Sequence, residues 1–145
     1  MMSRGQVIYL HVTVALTAVT GAIFAAMKYG MTTDDPFAAA NHPLQPGMLS
    51  AHVVVAPLLL FALGWIFGDH IWPKYTSRAP HNRRTGVFSM LAIVPMTMSG
   101  YLMQVATSDA LRDAMTWMHW VASALFVAAY VGHLLAGRRT PTKSR

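Results

Sequence analysis

Histidine is the residue type in this chain with the greatest capacity for chemistry, and the spacing of two histidines is informative. The chain has seven histidines, and His119 and His133 share a stretch without Asp, Glu, Lys or Arg. In an α-helix, the spacing of this pair is about four turns, which returns the side chain to within about 40° of its starting direction and advances it by about 21 Å. The two imidazoles therefore face one side of a helix near its two ends. This separation favours two distinct binding sites over one shared metal ion.

The elements that must position these histidines are four stretches free of charged side chains, which cover residues 5–27, 36–68, 85–108 and 114–137. Each is longer than the roughly 20 residues with which an apolar helix crosses the hydrocarbon core, where the backbone has to satisfy its own hydrogen bonds. The sequence predicts an all-α integral membrane protein: one domain over 1–145, an antiparallel four-helix bundle, and a basic tail over 138–145. We expect helices at about 6–28, 48–71, 86–106 and 114–137, with Trp72-Pro73 ending the second.

The charges between the helices predict the orientation. Nine Lys and Arg fall on the side of both termini, and only Lys28 and Arg112 fall on the other side. Cytoplasmic loops carry the excess of cations, so both termini are expected in the cytoplasm of a multi-pass protein of a bacterial inner membrane. The formal net charge of +6 then reflects basic loops in contact with lipid. We do not expect nucleic acid as a partner.

This topology pairs the histidines by depth. His52 and His119 each lie about one turn inside the periplasmic surface, and His11 and His133 each lie about one turn inside the cytoplasmic surface. The prediction is two bis-His sites, one in each leaflet. Bis-imidazole ligation suits a low-spin haem b that transfers electrons. The absence of Cys excludes covalent c-type haem, iron–sulfur clusters and thiolate zinc sites.

The cytoplasmic site has two candidate ligands besides His133. The face of His11 carries a run of alanines, which either forms a smooth groove for a macrocycle or serves ordinary helix packing. These alanines are Ala15, Ala18, Ala22 and Ala25. His70 lies next to Asp69 and about five helical turns after His52, on the same face of the helix. We favour His11, because His70 lies close to the lipid headgroups.

The complete pattern resembles the bacterial cytochrome b561 proteins. The resemblance covers about residues 5–137 and is carried by His11, His52, the W-M-H-W…G-H motif from Trp117 to His133, and the pair Pro95 and Gly100 in the third helix. It implies a four-helix membrane cytochrome with two haem b groups. Its relatives would be the superoxide oxidase type and the cytochrome b subunits of hydrogenases and other dehydrogenases.

The chain departs from this family in two places. Val12 follows the first histidine where the family often has Trp, and the segment between the third and fourth helices is short, at about 107–113. In the superoxide-oxidising type this outer region helps to form the reaction surface. Here the outer face carries more Asp than Lys or Arg, which would repel superoxide.

Several further side chains are candidate contacts for a cofactor. Arg83 and Arg84 precede the third helix and could pair with haem propionates, or serve topology and lipid contact instead. Tyr101, with Gln104 one turn later, could hydrogen-bond a quinone or a propionate, although Tyr is also common at membrane interfaces. Lys28 and Arg112 could meet a propionate or an anionic substrate. No catalytic residue is assigned.

The leading interpretation is a di-haem b membrane cytochrome that transfers electrons between the quinone pool and a redox partner. That partner would be a periplasmic redox protein or other subunits of a respiratory complex, and a quinone/quinol oxidoreductase activity is left open. One alternative is a His-based proton or metal-ion transporter, which is disfavoured because the histidines lie near the two membrane surfaces with apolar residues between them. The other is a superoxide-oxidising quinone reductase.

Overall fold

A computed structural model describes residues 2–31, 42–77 and 83–138, and all regular structure in these ranges is helical. The elements are α1 (Arg4–Tyr29), α2 (Gln45–Ile66), a π turn (Phe67–Ile71), α3 (Trp72–Thr76), α4 (Arg83–Val105) and α5 (Asp109–Arg138). When α2, the π turn and α3 are counted as one span, four helices are long and apolar enough to cross a membrane. The predicted all-α membrane architecture is confirmed.

Serine side chains define the starts of α1 and α5. The Ser3 hydroxyl accepts from the Gln6 N–H at 3.2 Å, and the Gln6 amide oxygen accepts from the Ser3 N–H at 2.7 Å, which completes a capping box. The Ser108 hydroxyl accepts from the Leu111 N–H at 3.2 Å. Helix α5 therefore begins at Asp109 rather than near 114. An aspartate in the first turn is favoured by the helix dipole, so this charged segment is helical and not a loop.

The second span does not end at Trp72-Pro73 as expected. After α2 the backbone forms the π turn, in which the Trp72 N–H bonds to the Phe67 carbonyl, and the helix continues through Thr76. Proline lacks an N–H, and its ring collides with the carbonyl four residues earlier in an α-helix. That earlier residue, Asp69, lies in the π turn, where the bonds run to the carbonyl five residues earlier and not four. The helix consequently passes Pro73 without ending.

The helices form two compact units, Met1–Pro73 and Lys74–Arg145. In the first, hairpin 1, α1 packs against the second span with Gln6 bonded to Asp69 and Thr20 in contact with His52. In the second, hairpin 2, α4 packs against α5. In both hairpins, residues early in one helix contact residues late in the next. The predicted antiparallel arrangement of consecutive helices is confirmed within each hairpin.

The seam of each hairpin contains small, apolar and hydroxyl-bearing residues. The buried apolar members include Leu10, Val14, Leu59 and Ala62 in hairpin 1 and Ala92, Met96, Ala122 and Phe126 in hairpin 2. The buried hydroxyls of Thr13, Ser89 and Ser99 each donate to a carbonyl four residues earlier. Many large apolar side chains face outward, among them Val54 and Trp117, which are 68% and 73% exposed. Such a surface suits lipid and not water.

Candidate cofactor-binding histidines

His52 lies on α2 with its imidazole against α1. Its Nδ1 atom is 3.1 Å from the carbonyl oxygen of Thr17 and 3.2 Å from Oγ1 of Thr20. The ring lies directly over Gly21, where an added Cβ would be 2.9 Å from the histidine Cε1. Carbon atoms do not pack this closely, so the approach of the imidazole to the helix backbone depends on glycine at this position.

His119 lies on α5 and meets α4 in the same way. Its Nδ1 atom is 2.8 Å from the carbonyl oxygen of Met96 and 3.4 Å from Oγ of Ser99. An added Cβ at Gly100 would lie 3.2 Å from the ring. We call this arrangement an imidazole seat: a carbonyl at residue i, a hydroxyl at i+3 and glycine at i+4. The His52 seat (Thr17, Thr20, Gly21) and the His119 seat (Met96, Ser99, Gly100) share this pattern.

His133 lies near the end of α5 against the start of α4. Its Nδ1 atom is 3.2 Å from Oγ1 of Thr85, and an added Cβ at Gly86 would lie 3.5 Å from the ring. The spacing between the Thr85-Gly86 and Ser99-Gly100 pairs along α4 equals the spacing between the two histidines along α5. Hairpin 2 thus presents two hydroxyl–glycine positions to two imidazoles, about 21 Å apart along the helices.

The seats define which nitrogen of the imidazole can act as a ligand. A carbonyl oxygen only accepts hydrogen bonds, so Nδ1 of His52 and of His119 is the donor in these contacts, which in a neutral imidazole leaves the lone pair on Nε2. Histidines that bind metals almost always donate their other N–H to a carbonyl, carboxylate or water in this manner. Both imidazoles are half-buried. In the neutral imidazole, this Nδ1–H tautomer is the one that could coordinate a metal through Nε2.

The number of protein ligands at each position limits the kinds of site that these histidines could form. Within residues 2–31, 42–77 and 83–138, no three His, Asp or Glu side chains are grouped closely enough to hold a metal ion. A zinc site needs three or four protein ligands, whereas a haem brings the four nitrogens of its macrocycle and takes one or two axial ligands from the protein. Single histidines, each in its own seat, fit the chemistry of haem ligation.

His11 and His70 occupy different environments in hairpin 1. His11 is exposed and lies about 120° around α1 from Thr17, so it does not face α2. Ala18 shares the face of His11, and the alanine run is therefore separate from the contact between α1 and α2. His70 lies inside the π turn, and the extra residue of such a turn displaces it by up to about 100° from the face of His52. The predicted choice of His11 stays a prediction.

The other predicted contacts lie near the helix ends. Arg84 is exposed at the start of α4, and Tyr101 is 49% exposed on the same helix. Arg83 begins α4, and its side chain lies outside the described part of the chain. Gln104 donates to the Gly100 carbonyl of its own helix at 3.2 Å.

The two remaining histidines belong to loops. In the loop before α2, His42 Nδ1 accepts from the Leu44 N–H at 3.2 Å. This local contact assigns His42 a role in the turn that precedes the helix. His81 lies outside the described residues.

The two cations of the predicted periplasmic face make local contacts. Arg112 donates to the Asp109 carboxylate at 3.1 Å and to the Ala106 carbonyl, just beyond the end of α4, at 2.9 Å. The Lys28 ammonium lies 5.3 Å from the centre of the Tyr29 ring. Arg112 therefore has a structural role in the turn between α4 and α5, which reduces its availability to an anionic substrate.

No family model, curated protein or solved structure matches this chain. The resemblance to cytochrome b561 proteins stays a prediction.

The sequence did not predict that hydroxyl–glycine pairs contact the candidate ligands. Thr20-Gly21, Thr85-Gly86 and Ser99-Gly100 are the only positions in the chain where Ser or Thr precedes Gly. Each pair faces one of the predicted ligands. A signal was present, because two of the pairs repeat the spacing of the histidines on the neighbouring helix.

Proposed function

We propose that this protein is a di-haem b-type membrane cytochrome. His52 and His119 would be the axial ligands of one haem, and His11 and His133 those of the other. The observation that carries the proposal is the pair of imidazole contacts in hairpin 2. Two imidazoles on one helix each direct Nδ1 towards an oxygen of α4. Their separation of about 21 Å calls for two cofactors at different depths.

The proposed activity is electron transfer across a bacterial inner membrane between the quinone pool and a redox partner. That partner is a periplasmic redox protein or another subunit of a respiratory complex. Haem supplies the one-electron carrier. The chain supplies the imidazole ligands, holds their tautomer and surrounds them with apolar helices. Arg83, Arg84 and Tyr101 are proposed contacts for the propionates or for a quinone.

The first experiment is to quantify haem in the purified, detergent-solubilised protein by the pyridine haemochrome method. We expect two haem b per chain in the wild type and one in His119→Ala or His133→Ala, because each variant removes a ligand of one haem only. His42→Ala is the matched control and should retain both. A folded protein that contains no haem, although haem was available during expression, would contradict the proposal.

A second experiment tests the direction and path of the electrons. Proteoliposomes that contain a quinol in the membrane and an impermeant electron acceptor outside should reduce the acceptor, and either α5 histidine variant should block this reduction. If the wild-type protein is free of haem but moves protons or metal ions in the same vesicles, the transporter alternative replaces the cytochrome.

A further inference from the structure

The hydroxyl groups of two seats have a defined hydrogen-bond direction. Thr20 donates its hydroxyl hydrogen to the Leu16 carbonyl at 2.7 Å, and Ser99 donates to the Pro95 carbonyl at 2.6 Å. These short contacts are the usual bonds of a hydroxyl to its own helix, four residues earlier. A hydroxyl has one hydrogen and two lone pairs. Towards His52 and His119, these oxygens can therefore act only as acceptors.

Each seat thus presents two acceptors to one nitrogen. At His52 the carbonyl and hydroxyl oxygens are almost equidistant from Nδ1, at 3.1 and 3.2 Å. At His119 the carbonyl is closer, at 2.8 Å, and the hydroxyl is farther, at 3.4 Å. Neither oxygen can donate to the imidazole, so the Nδ1 hydrogen is held in place from two directions.

Glycine makes this arrangement accessible. In an α-helix the carbonyl of residue i lies beside residue i+4. At Gly21 and Gly100 there is no Cβ, and the imidazole occupies the space that a Cβ would need. The ring can then reach a backbone oxygen that already accepts a helical hydrogen bond, while the hydroxyl of the preceding residue flanks it.

We propose that Thr20 and Ser99 are positioning residues that lock His52 and His119 in the Nδ1-protonated tautomer and strengthen Nε2 as a ligand for ferric iron. The inference rests on the proposed haem function and assigns a role to hydroxyls that do not touch the cofactor. When a ligating imidazole donates a hydrogen bond from its other ring nitrogen, here Nδ1, the ligating nitrogen becomes more basic. A more basic ligand stabilises ferric over ferrous haem and lowers the midpoint potential.

The test is a spectroelectrochemical titration of the holoprotein. Thr20→Val keeps the shape of the side chain and removes the acceptor, so the potential of one haem should rise. We expect up to about a tenfold change in the preference for ferric iron, which corresponds to 59 mV for a one-electron couple. Thr20→Ser restores the hydroxyl and should restore the wild-type value. Ser99→Ala should produce a smaller rise, because its oxygen is farther from the imidazole.

The chain offers a matched control on each helix. Thr13 is 3% exposed and Ser89 is 9% exposed. Each donates its hydroxyl four residues back as the seat residues do. Thr13→Val should not change the haem midpoint potential that Thr20→Val raises. Ser89→Ala should not change the haem midpoint potential that Ser99→Ala raises. Equal shifts from Thr13→Val and Thr20→Val, or failure of Thr20→Ser to restore the potential, would overturn the inference.

A separate readout distinguishes this inference from the cytochrome proposal. If the purified protein binds haem but Thr20→Val leaves both potentials unchanged, the positioning role fails and the cytochrome stands. If the protein contains no haem, long-range 15N–1H spectra of histidine-labelled protein report the tautomers directly. Nδ1-protonated His52 and His119 would support the lock without any cofactor, and Nε2-protonated rings would refute it.

Discussion

The glycines beside the histidines have much less room than a glycine elsewhere in the same membrane spans. A Cβ would lie 2.9 Å from the facing imidazole at Gly21, 3.2 Å at Gly100 and 3.5 Å at Gly86. At Gly64, inside α2, it would meet nothing within 4 Å. Glycine in a helix interior is normally less stable than alanine. At Gly21 and Gly100, the physical reason for glycine is therefore the contact with a ring and not the backbone conformation.

Alanine substitutions should separate these positions. Gly21→Ala should lower the free energy of unfolding by about 1–3 kcal/mol, because the imidazole or the helix has to move. Gly100→Ala should have a smaller effect, and Gly86→Ala should be near neutral. Gly64→Ala is the control and should raise stability by about 0.5–1 kcal/mol. Denaturation in detergent measures all four, and a Gly21→Ala protein as stable as Gly64→Ala would show that the His52 seat is not formed.

At the scale of elements, the π turn ties the two helices of hairpin 1 together. Asp69 lies in this turn, and its carboxylate accepts from the Gln6 side-chain amide at 2.8 Å. Gln6 is 5% exposed, and its amide oxygen also belongs to the capping box of α1. One polar network therefore joins the first turn of α1 to the end of the second span.

Removal of the Asp69 carboxylate should loosen hairpin 1. We expect Asp69→Ala to lower the free energy of unfolding by about 1–3 kcal/mol, because the buried Gln6 amide loses its acceptor. Asp69→Asn keeps an oxygen and should cost less. Asp109→Ala is a suitable comparison, since this carboxylate and its ion pair with Arg112 are exposed to solvent and should stabilise the protein less than the buried Gln6–Asp69 bond does. Faster hydrogen exchange confined to the first turn of α1 would locate the effect, and unchanged exchange there in Asp69→Ala would contradict it.

For the whole molecule, the distribution of charge predicts which side of the membrane each end of the four spans faces. Arg4, Lys74 and Arg84 are exposed at helix ends that the predicted topology places on one side. They belong to the nine cations of that side, against two on the other. A difference of this size normally directs the basic loops to the cytoplasm.

Reporter fusions test this orientation. Green fluorescent protein fused after residue 145 should fluoresce, and alkaline phosphatase at the same position should be inactive, because the C-terminus is predicted to be cytoplasmic. The control is a pair of fusions in the turn between α4 and α5, which should show the opposite behaviour. Active phosphatase at the C-terminus would reverse the topology and exchange the two leaflets assigned to the histidine pairs.

Much of the site could be predicted because it depends on distances along single helices. The shared face of His119 and His133 follows from counting residues in a regular helix, and both imidazoles contact α4. The displacement of His70 could not be predicted in this way. The extra residue of the π turn rotates the side chains in that turn relative to those of α2. The start of α5 at Asp109 was missed because its charges suggested a loop.

The sequence by itself determined the four membrane-length helices and the histidines that they carry, because hydropathy and backbone hydrogen bonding in lipid are local constraints. Only the tertiary structure decided which oxygens face each imidazole. The His52 seat joins residues 32 and 35 positions apart, and the His119 seat joins residues 20 and 23 positions apart. Contacts of this kind depend on the register between two helices. A shift of one residue in that register would place a side chain, and not glycine, beneath the ring.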